Sequence, residues 1–114
     1  MLIALHALDH SNALGLRLQH YEAHKAHIAT AVAFDLAIRF GGPLLDERTG
    51  TMIGSLTVFE AGSLETVKSF VELDPFRIAG VWAEVRLNLF DIRVSQSVKD
   101  HESALRRTPQ PVRL

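Results

Sequence analysis

Residues Met52 to Phe76, MIGSLTVFEAGSLETVKSFVELDPF, place a strand, a helix and a capped turn in direct succession. Thr, Val and Phe side chains between Met52 and Glu60 suit a pleated surface and predict a strand. Ser63, with Glu65 in the first turn, predicts the start of a helix. That helix has one apolar face, formed by Leu64, Val67, Phe70 and Val71. It is expected to end before Asp74-Pro75, where proline suits the first position of a new short helix and Asp74 its cap.

The flanking sequence adds three strands and one helix. Residues 2–8 are apolar nearly throughout, as in a central strand, and residues 14–34 have the spacing of one long helix. A second strand follows from Leu36 to Phe40 before Gly41-Gly42-Pro43 bends the chain, and residues 84–92 form the last strand. The order βαββαβ predicts an α+β domain with a ferredoxin-like, four-stranded antiparallel sheet.

Two helices cover only one face of such a sheet, so the other face needs a partner. A chain of 114 residues also buries only about two-thirds of its unfolded surface. A second copy of the sheet is the expected partner, which predicts a homodimer. We place the domain at residues 1–94 and treat residues 95–114 as a tail, either a loosely ordered segment, a short helix over Ser97–Arg107 or an arm that contacts the partner.

The composition excludes several classes of protein. Twelve Lys and Arg balance thirteen Asp and Glu, so no large net field attracts nucleic acid or a membrane. The absence of cysteine excludes disulfides, thiolate nucleophiles and iron–sulfur clusters. The apolar N-terminal run is too short for a signal peptide, and no stretch approaches the roughly 20 apolar residues that span a bilayer. We expect a soluble, cytoplasmic protein that acts on a small molecule.

Three of the six histidines, His20, His24 and His27, lie in the predicted first helix at steps of four and three residues. These steps bring them to one helix face or close to it. Histidines four residues apart can bind one metal ion, but the zinc-protease pattern needs a glutamate directly after the first of them, where this chain has Tyr21. We therefore interpret His20 and His27 as surface or half-buried residues, and we expect no metal and no organic cofactor.

His24 differs from the other two histidines because of its companions. Arg17 lies two helical turns earlier on nearly the same face. Asp9 stands where the first strand ends and the first helix approaches. The sequence therefore predicts that these three side chains line one mouth of the sheet.

Motifs along the chain resemble those of the YCII (YciI-like) family. In chain order they are Asp9, Arg17-Leu18 with Ala23-His24, Gly42-Pro43-Leu44, Gly54-Ser55-Leu56, Glu60-Ala61, Ser63-Leu64-Glu65, Asp74-Pro75-Phe76 and Ala79-Gly80-Val81. No single motif is specific, but their order and spacing match over residues 2–90. Tyr21 and Glu22 depart from the family, which often has arginine and proline there. The segment between His24 and Gly42 differs in length by one residue from that of some relatives, so His27 is a rival for the position of the family's histidine. The dipeptide Ala23-His24 and the spacing from Arg17 favour His24.

The resemblance implies a ferredoxin-like fold that dimerises through its sheet, the dimeric α/β-barrel architecture. It also implies a His–Asp dyad carried by His24 and Asp74, with Pro75 fixing the turn of the aspartate. The best understood activity in the family is dehydrochlorination of a chlorinated hydroxyhydroquinone. There an arginine and a serine form an oxyanion hole supported by an aspartate, and Arg17, Ser55 and Asp9 match those positions.

The chemistry of these residue types agrees with such roles. Imidazole suits proton abstraction near neutral pH, and a carboxylate on its second nitrogen fixes the tautomer. We therefore expect a cofactor-independent lyase or isomerase that acts on a hydroxylated or halogenated ring. The alternatives are a non-catalytic ligand-binding or dimerisation domain and a metal-binding regulator that uses the three helix histidines. A nucleophilic triad of Ser55, His24 and Asp74 is disfavoured because no Gly-x-Ser-x-Gly elbow surrounds Ser55.

Overall fold

The computed structural model of the protein describes residues 1–96. Within these residues the chain forms four strands and four α-helices: β1 (Leu2–Asp9), α1 (Leu14–Gln19), α2 (Tyr21–Ile28), β2 (Ala37–Leu45), β3 (Met52–Glu60), α3 (Leu64–Glu72), α4 (Pro75–Ile78) and β4 (Trp82–Phe90). The predictions for the tail, the helix over Ser97–Arg107 and the partner-contacting arm, lie outside the described residues. The domain boundary at residue 94 stays a prediction.

The four strands form one sheet in the order β2-β3-β1-β4, and every neighbouring pair is antiparallel. This topology confirms the ferredoxin-like prediction. Ile3, Leu5 and Ala7 point to one face of the central strand β1 and are almost fully buried. They form the core together with the apolar side of α3 and with Phe76 of α4. The helices therefore cover one face of the sheet, as predicted.

The α3–α4 segment folds as its sequence predicts. Ser63 caps α3 and accepts a hydrogen bond from the backbone N–H of Thr66 at 3.3 Å. Asp74 caps α4, with Pro75 at the start of that helix. Within the described part of the chain, no helix is both long and apolar enough to cross a bilayer.

The prediction of one long helix over residues 14–34 is wrong. The backbone leaves the helical region at His20 (φ −102°, ψ 8°), which separates α1 from α2. A 3₁₀ helix over Ala31–Phe34 follows α2. The hydroxyl of Thr30 donates to the carbonyl of His27 at 2.6 Å, a local bond that competes with continuation of the helix.

Two strand predictions also need correction. Gly41-Gly42-Pro43 does not bend the chain but lies inside β2, opposite Thr57, Leu56 and Ser55 of β3. Proline fits there because β2 is an edge strand with hydrogen-bonding partners on one side only. The last strand begins at Trp82, two residues earlier than expected, and its first residue pairs with Asp9 across a bulge.

Candidate active site

His24 of α2 faces Asp74, the residue that caps α4. Its Nδ1 atom lies 2.9 Å from each carboxylate oxygen of Asp74. The same carboxylate accepts the backbone N–H of Phe76 at 2.8 Å, so one side chain caps the helix and orients the imidazole. With Nδ1 donating to the carboxylate, Nε2 is the basic nitrogen of the neutral ring.

Aromatic neighbours fix the plane of the His24 ring. The ring stacks on Phe76 with centroids 4.0 Å apart and planes 8° apart. The indole of Trp82 approaches edge-on, with centroids 6.4 Å apart. The side chain of Asp74 is 4% exposed, whereas that of His24 is 18% exposed. The imidazole is therefore held on its aspartate side and accessible on the other.

His27, the rival histidine, has a different environment. Its Nε2 lies 2.8 Å from the carbonyl oxygen of Phe70, to which it donates, and its ring stacks on that of Phe70 at 4.1 Å. His27 thus packs α2 against α3, while His24 contacts Asp74. Among residues 1–96 no group of three or more His, Asp or Glu side chains is placed to hold a metal ion, so the alternative of a helix-histidine metal site gains no support from the described residues.

Arg17 and Asp9 form a buried, bidentate ion pair. Nε of Arg17 lies 2.7 Å from Oδ2 of Asp9, and Nη2 lies 3.0 Å from Oδ1. The two side chains are 2% and 5% exposed. The guanidinium carbon also lies 4.6 Å from the centroid of the Phe76 ring. Since a buried cation is tolerated only when it is paired, Asp9 sets both the charge balance and the orientation of Arg17.

Ser55 of β3 accepts two hydrogen bonds. Nη2 of Arg17 donates to its Oγ at 2.8 Å, and Nε1 of Trp82 donates at 3.2 Å. Arginine and tryptophan are donors only, so together they occupy both lone pairs of the hydroxyl. The hydroxyl hydrogen of Ser55 must therefore point elsewhere. Such a serine is better suited to donate to a ligand oxygen than to act as a nucleophile activated by His24.

A second donor in this cluster is Nη1 of Arg17. This atom has no hydrogen-bond partner within residues 1–96. In the same part of the chain, every fully buried side-chain nitrogen or oxygen does have a partner. Nη1 must therefore be accessible, although Arg17 as a whole is 2% exposed.

The accessible space is a cavity of about 230 Å³ between the helices and the edge of the sheet. An apolar cavity of about 150 Å³ holds benzene, so this one has room for a single substituted ring. Neither Asp9 nor Asp74 belongs to its wall; both lie behind the residues that they orient. The wall consists of Arg17, Tyr21, His24, Lys25, Ile28, Ile38, Gly41, Gly42, Pro43, Ser55 and Thr57.

Lys25 adds positive charge at the exposed side of this wall. Its Nζ lies 3.0 Å from a carboxylate oxygen of Glu22. The hydrogen bond that Lys25 donates to Glu22, followed by the negative charge of Glu22, raises the pKa of Lys25 above its ordinary value. Lys25 is therefore a cation at neutral pH.

The structure brings all five predicted site residues together, and it adds others that the sequence did not indicate. Trp82 is the only tryptophan in the chain, but this alone does not indicate a site residue; its bond to Ser55 is visible only in the structure. Phe76 stands in the Asp-Pro-Phe motif, but its stacking on His24 depends on the packing of α2 on α4. Thr57 follows an ordinary strand pattern, and Gly41 and Gly42 were predicted to lie in a bend, so only strand pairing places them at the cavity.

A family model described as the YCII-related domain matches residues 1–91. No curated protein matches the sequence significantly.

Two solved structures illustrate the structural similarity. One is 5-chloro-2-hydroxyhydroquinone dehydrochlorinase (TftG) from Burkholderia phenoliruptrix AC1100 in complex with 2,5-dihydroxybenzoquinone; it is 36% identical, the match covers 80% of this chain and 94% of that chain, and the TM-score is 0.73. The other is an uncharacterized NIPSNAP domain protein from Burkholderia xenovorans; it is 13% identical, the match covers 84% of this chain and 100% of that chain, and the TM-score is 0.45. The chain belongs to the YCII-related family.

Proposed function

We propose that this protein is a small-molecule lyase that eliminates hydrogen chloride from a chlorinated hydroxyhydroquinone or a close relative, with His24 as the general base. The observation that carries the proposal is the contact of His24 with Asp74 at the wall of a ring-sized cavity. The sequence similarity to a dehydrochlorinase supports the reaction class.

In this proposal Nε2 of His24 takes the proton of a ring hydroxyl. The carboxylate of Asp74 keeps the imidazole in the correct tautomer and stabilises the imidazolium that forms. A positioned base of this kind contributes about 10²- to 10⁴-fold to a rate. Phe76 holds the ring plane, and the bond between Nδ1 and Asp74 leaves Nε2 as the free nitrogen.

The oxygen that loses its proton carries negative charge and needs donors aimed at it. Nη1 of Arg17 and the hydroxyl of Ser55 are suited to this task, because neither has its donor capacity used by the described part of the chain. One such donor contributes about 3–4 kcal/mol to transition-state stabilisation. Asp9 acts indirectly by holding Arg17.

The elimination balances without an oxidant. In a keto tautomer of the substrate, the carbon that bears chlorine carries a hydrogen and is tetrahedral. Removal of a hydroxyl proton sends the electron pair of that O–H bond through the conjugated ring and breaks the C–Cl bond, and chloride leaves with its electron pair. The net loss is HCl, and the product is a hydroxybenzoquinone.

The test is release of chloride from 5-chloro-2-hydroxyhydroquinone, measured without oxygen so that the substrate does not oxidise. His24→Ala should lower kcat by at least about 10²-fold. His20→Ala, a histidine of the same helical region outside the cavity, serves as the matched control and should leave kcat unchanged. Equal turnover by His24→Ala and the wild type would rule out this mechanism. Tight binding of 2,5-dihydroxybenzoquinone without turnover of any chlorinated hydroxyhydroquinone would favour the alternative, a non-catalytic ligand-binding domain.

The same proposal includes a homodimer formed through the open face of the sheet. Residues opposite one another in an antiparallel pair share a face, and the register places exposed apolar side chains on the face away from the helices: Leu8, Phe40, Leu56 and Phe90. Leu56→Glu should convert a dimer into a monomer of 12.6 kDa in sedimentation equilibrium. Leu18→Glu, at an exposed position on α1, is the control and should leave the mass unchanged. A monomeric wild type would contradict the dimer. A cytoplasmic location stays a prediction.

A further inference from the structure

Thr57 is a largely buried residue at the cavity whose hydroxyl has no role in the proposed reaction. It lies two residues after Ser55 on β3, and both side chains point to the helix-covered face. Thr57 is 8% exposed, and it forms part of the cavity wall. Within residues 1–96 its Oγ1 has no hydrogen-bond partner.

The residue opposite Thr57 leaves this hydroxyl uncovered. Gly41 of β2 pairs with Thr57 across the edge of the sheet. A Cβ atom at Gly41 would lie 3.0 Å from Oγ1 of Thr57 and 3.2 Å from its methyl group. Any side chain here would therefore crowd the hydroxyl and the methyl group of Thr57.

A packing role does not explain the hydroxyl. Valine has nearly the same shape, suits a strand equally well, and would present no polar atom to the cavity. Every fully buried side-chain nitrogen or oxygen among residues 1–96 has a partner, so the unpaired Oγ1 of Thr57 is accessible although the residue as a whole is more than nine-tenths buried. Such a hydroxyl is suited to a partner that enters the cavity, because it both donates and accepts.

We propose that Thr57 is a second oxygen-binding residue of this site, so that its ligand is a ring with oxygen substituents at two separated positions. The inference rests on the proposed function in one respect, namely that a ligand oxygen lies at Arg17 and Ser55. Alternate residues of a strand are about 6.5 Å apart along it. An oxygen held at Ser55 therefore leaves Thr57 to a different substituent of the same ring.

The recognition chemistry follows from this placement. Arg17 and Ser55 are donors to an oxygen that becomes negatively charged. Thr57 can either donate to a carbonyl oxygen or accept from a hydroxyl, so it suits a substituent that alternates between the two forms. A dihydroxylated ring and its quinone meet both requirements, whereas a ring with a single oxygen meets only the first.

The experiment is calorimetric titration of 2,5-dihydroxybenzoquinone into the wild type, Thr57→Val, Thr57→Ser and Ser55→Ala. Thr57→Val should weaken binding about tenfold, the usual size of one hydrogen bond to a ligand, and Thr57→Ser should restore most of the affinity. Phenol, followed by NMR titration, is the matched ligand with one oxygen. Its affinity should fall in Ser55→Ala and stay unchanged in Thr57→Val. Because the hydroxyl has no partner in the described chain, Thr57→Val should unfold at the same urea concentration as the wild type or a higher one.

The outcomes separate the two proposals. If Ser55→Ala weakens 2,5-dihydroxybenzoquinone while Thr57→Val binds it as tightly as the wild type, the role of Thr57 is disproved and the oxygen site at Ser55 stands. If Thr57→Val weakens phenol as strongly as the quinone, Thr57 does not recognise a second oxygen. If the wild type binds neither ligand, both proposals fail.

Discussion

Nε1 of Trp82 donates a hydrogen bond to Oγ of Ser55 across 3.2 Å, and this bond links β4 to β3 although β1 lies between them. The residue of β1 directly opposite Ser55 is Ala7, whose small side chain leaves room for the indole to reach across. The bond therefore ties Trp82, the first residue of the edge strand β4, to Ser55 on the inner strand β3, one of the two donors proposed for the substrate oxygen.

Trp82→Phe should lower kcat for the proposed substrate about tenfold while keeping the aromatic packing. The substitution removes the donor that occupies one lone pair of the Ser55 hydroxyl. The hydroxyl can then rotate, so its hydrogen no longer has to point into the cavity. Trp82 would thus be a positioning residue that acts through Ser55. The measurement is kcat for the wild type, Trp82→Phe, Ser55→Ala and the double variant. In the Ser55→Ala background the tryptophan substitution should have little further effect; an equal loss in both backgrounds would contradict a role through Ser55.

Asp9→Ala should lower the free energy of unfolding by about 3–5 kcal/mol, because it leaves the buried Arg17 cation without its partner. Urea unfolding followed by circular dichroism measures this loss. The matched control is Asp9→Leu with Arg17→Met, which removes both charges and should cost much less stability. A double variant as unstable as Asp9→Ala would show that shape, rather than the unpaired charge, is responsible.

Gly54→Ala should destabilise the sheet by about 1–3 kcal/mol, the usual range for forcing an extra carbon into a packed site. A Cβ at Gly54 would clash with the backbone carbonyl oxygen of Ala7 and lie 3.0 Å from a methyl carbon of Leu44. Backbone cannot move aside as a flexible side chain can. Gly15→Ala in α1, where a Cβ meets nothing within 4 Å, is the control and should raise stability by up to about 1 kcal/mol. Equal unfolding midpoints for the two variants would refute the steric argument.

Asp46, in the turn between β2 and β3, should make stability depend on pH in the acid range. Its carboxylate accepts the backbone N–H groups of Thr49 and Arg48 at 2.9 Å each, and these bonds, that of Thr49 first, lower the pKa of Asp46 below 3.8. Because the folded pKa is the lower one, the stabilisation is complete above the unfolded pKa and is lost as pH falls through the folded pKa.

Urea unfolding of the wild type and Asp46→Asn at neutral pH and near pH 3 tests this dependence. The stability difference between the two proteins should shrink as the solution becomes more acidic. A difference that stays constant with pH would argue against the ionised carboxylate as its source.

Much of the fold was predictable because its determinants are local. The apolar run of β1, the Thr, Val and Phe side chains of β3, the serine cap of α3 and the Asp-Pro start of α4 are each signals formed by residues within a few positions of one another. The long first helix was predicted wrongly because helix periodicity and alanine content do not reveal the break at His20. Gly41-Gly42-Pro43 was predicted to bend the chain because glycine and proline usually do so, and the position of β2 at the edge of the sheet was not available from its own sequence.

The sequence by itself determined that Asp74 caps a helix, since the N–H that it accepts lies two residues further along the chain. It also supplied His24, Arg17, Asp9 and Ser55 as residue types suited to proton transfer and anion binding. Only the tertiary structure decided which of them touch. His24 and Asp74 are fifty residues apart, and Trp82 meets Ser55 across an intervening strand, so these contacts depend on how the helices pack and the strands pair, which no local pattern specifies.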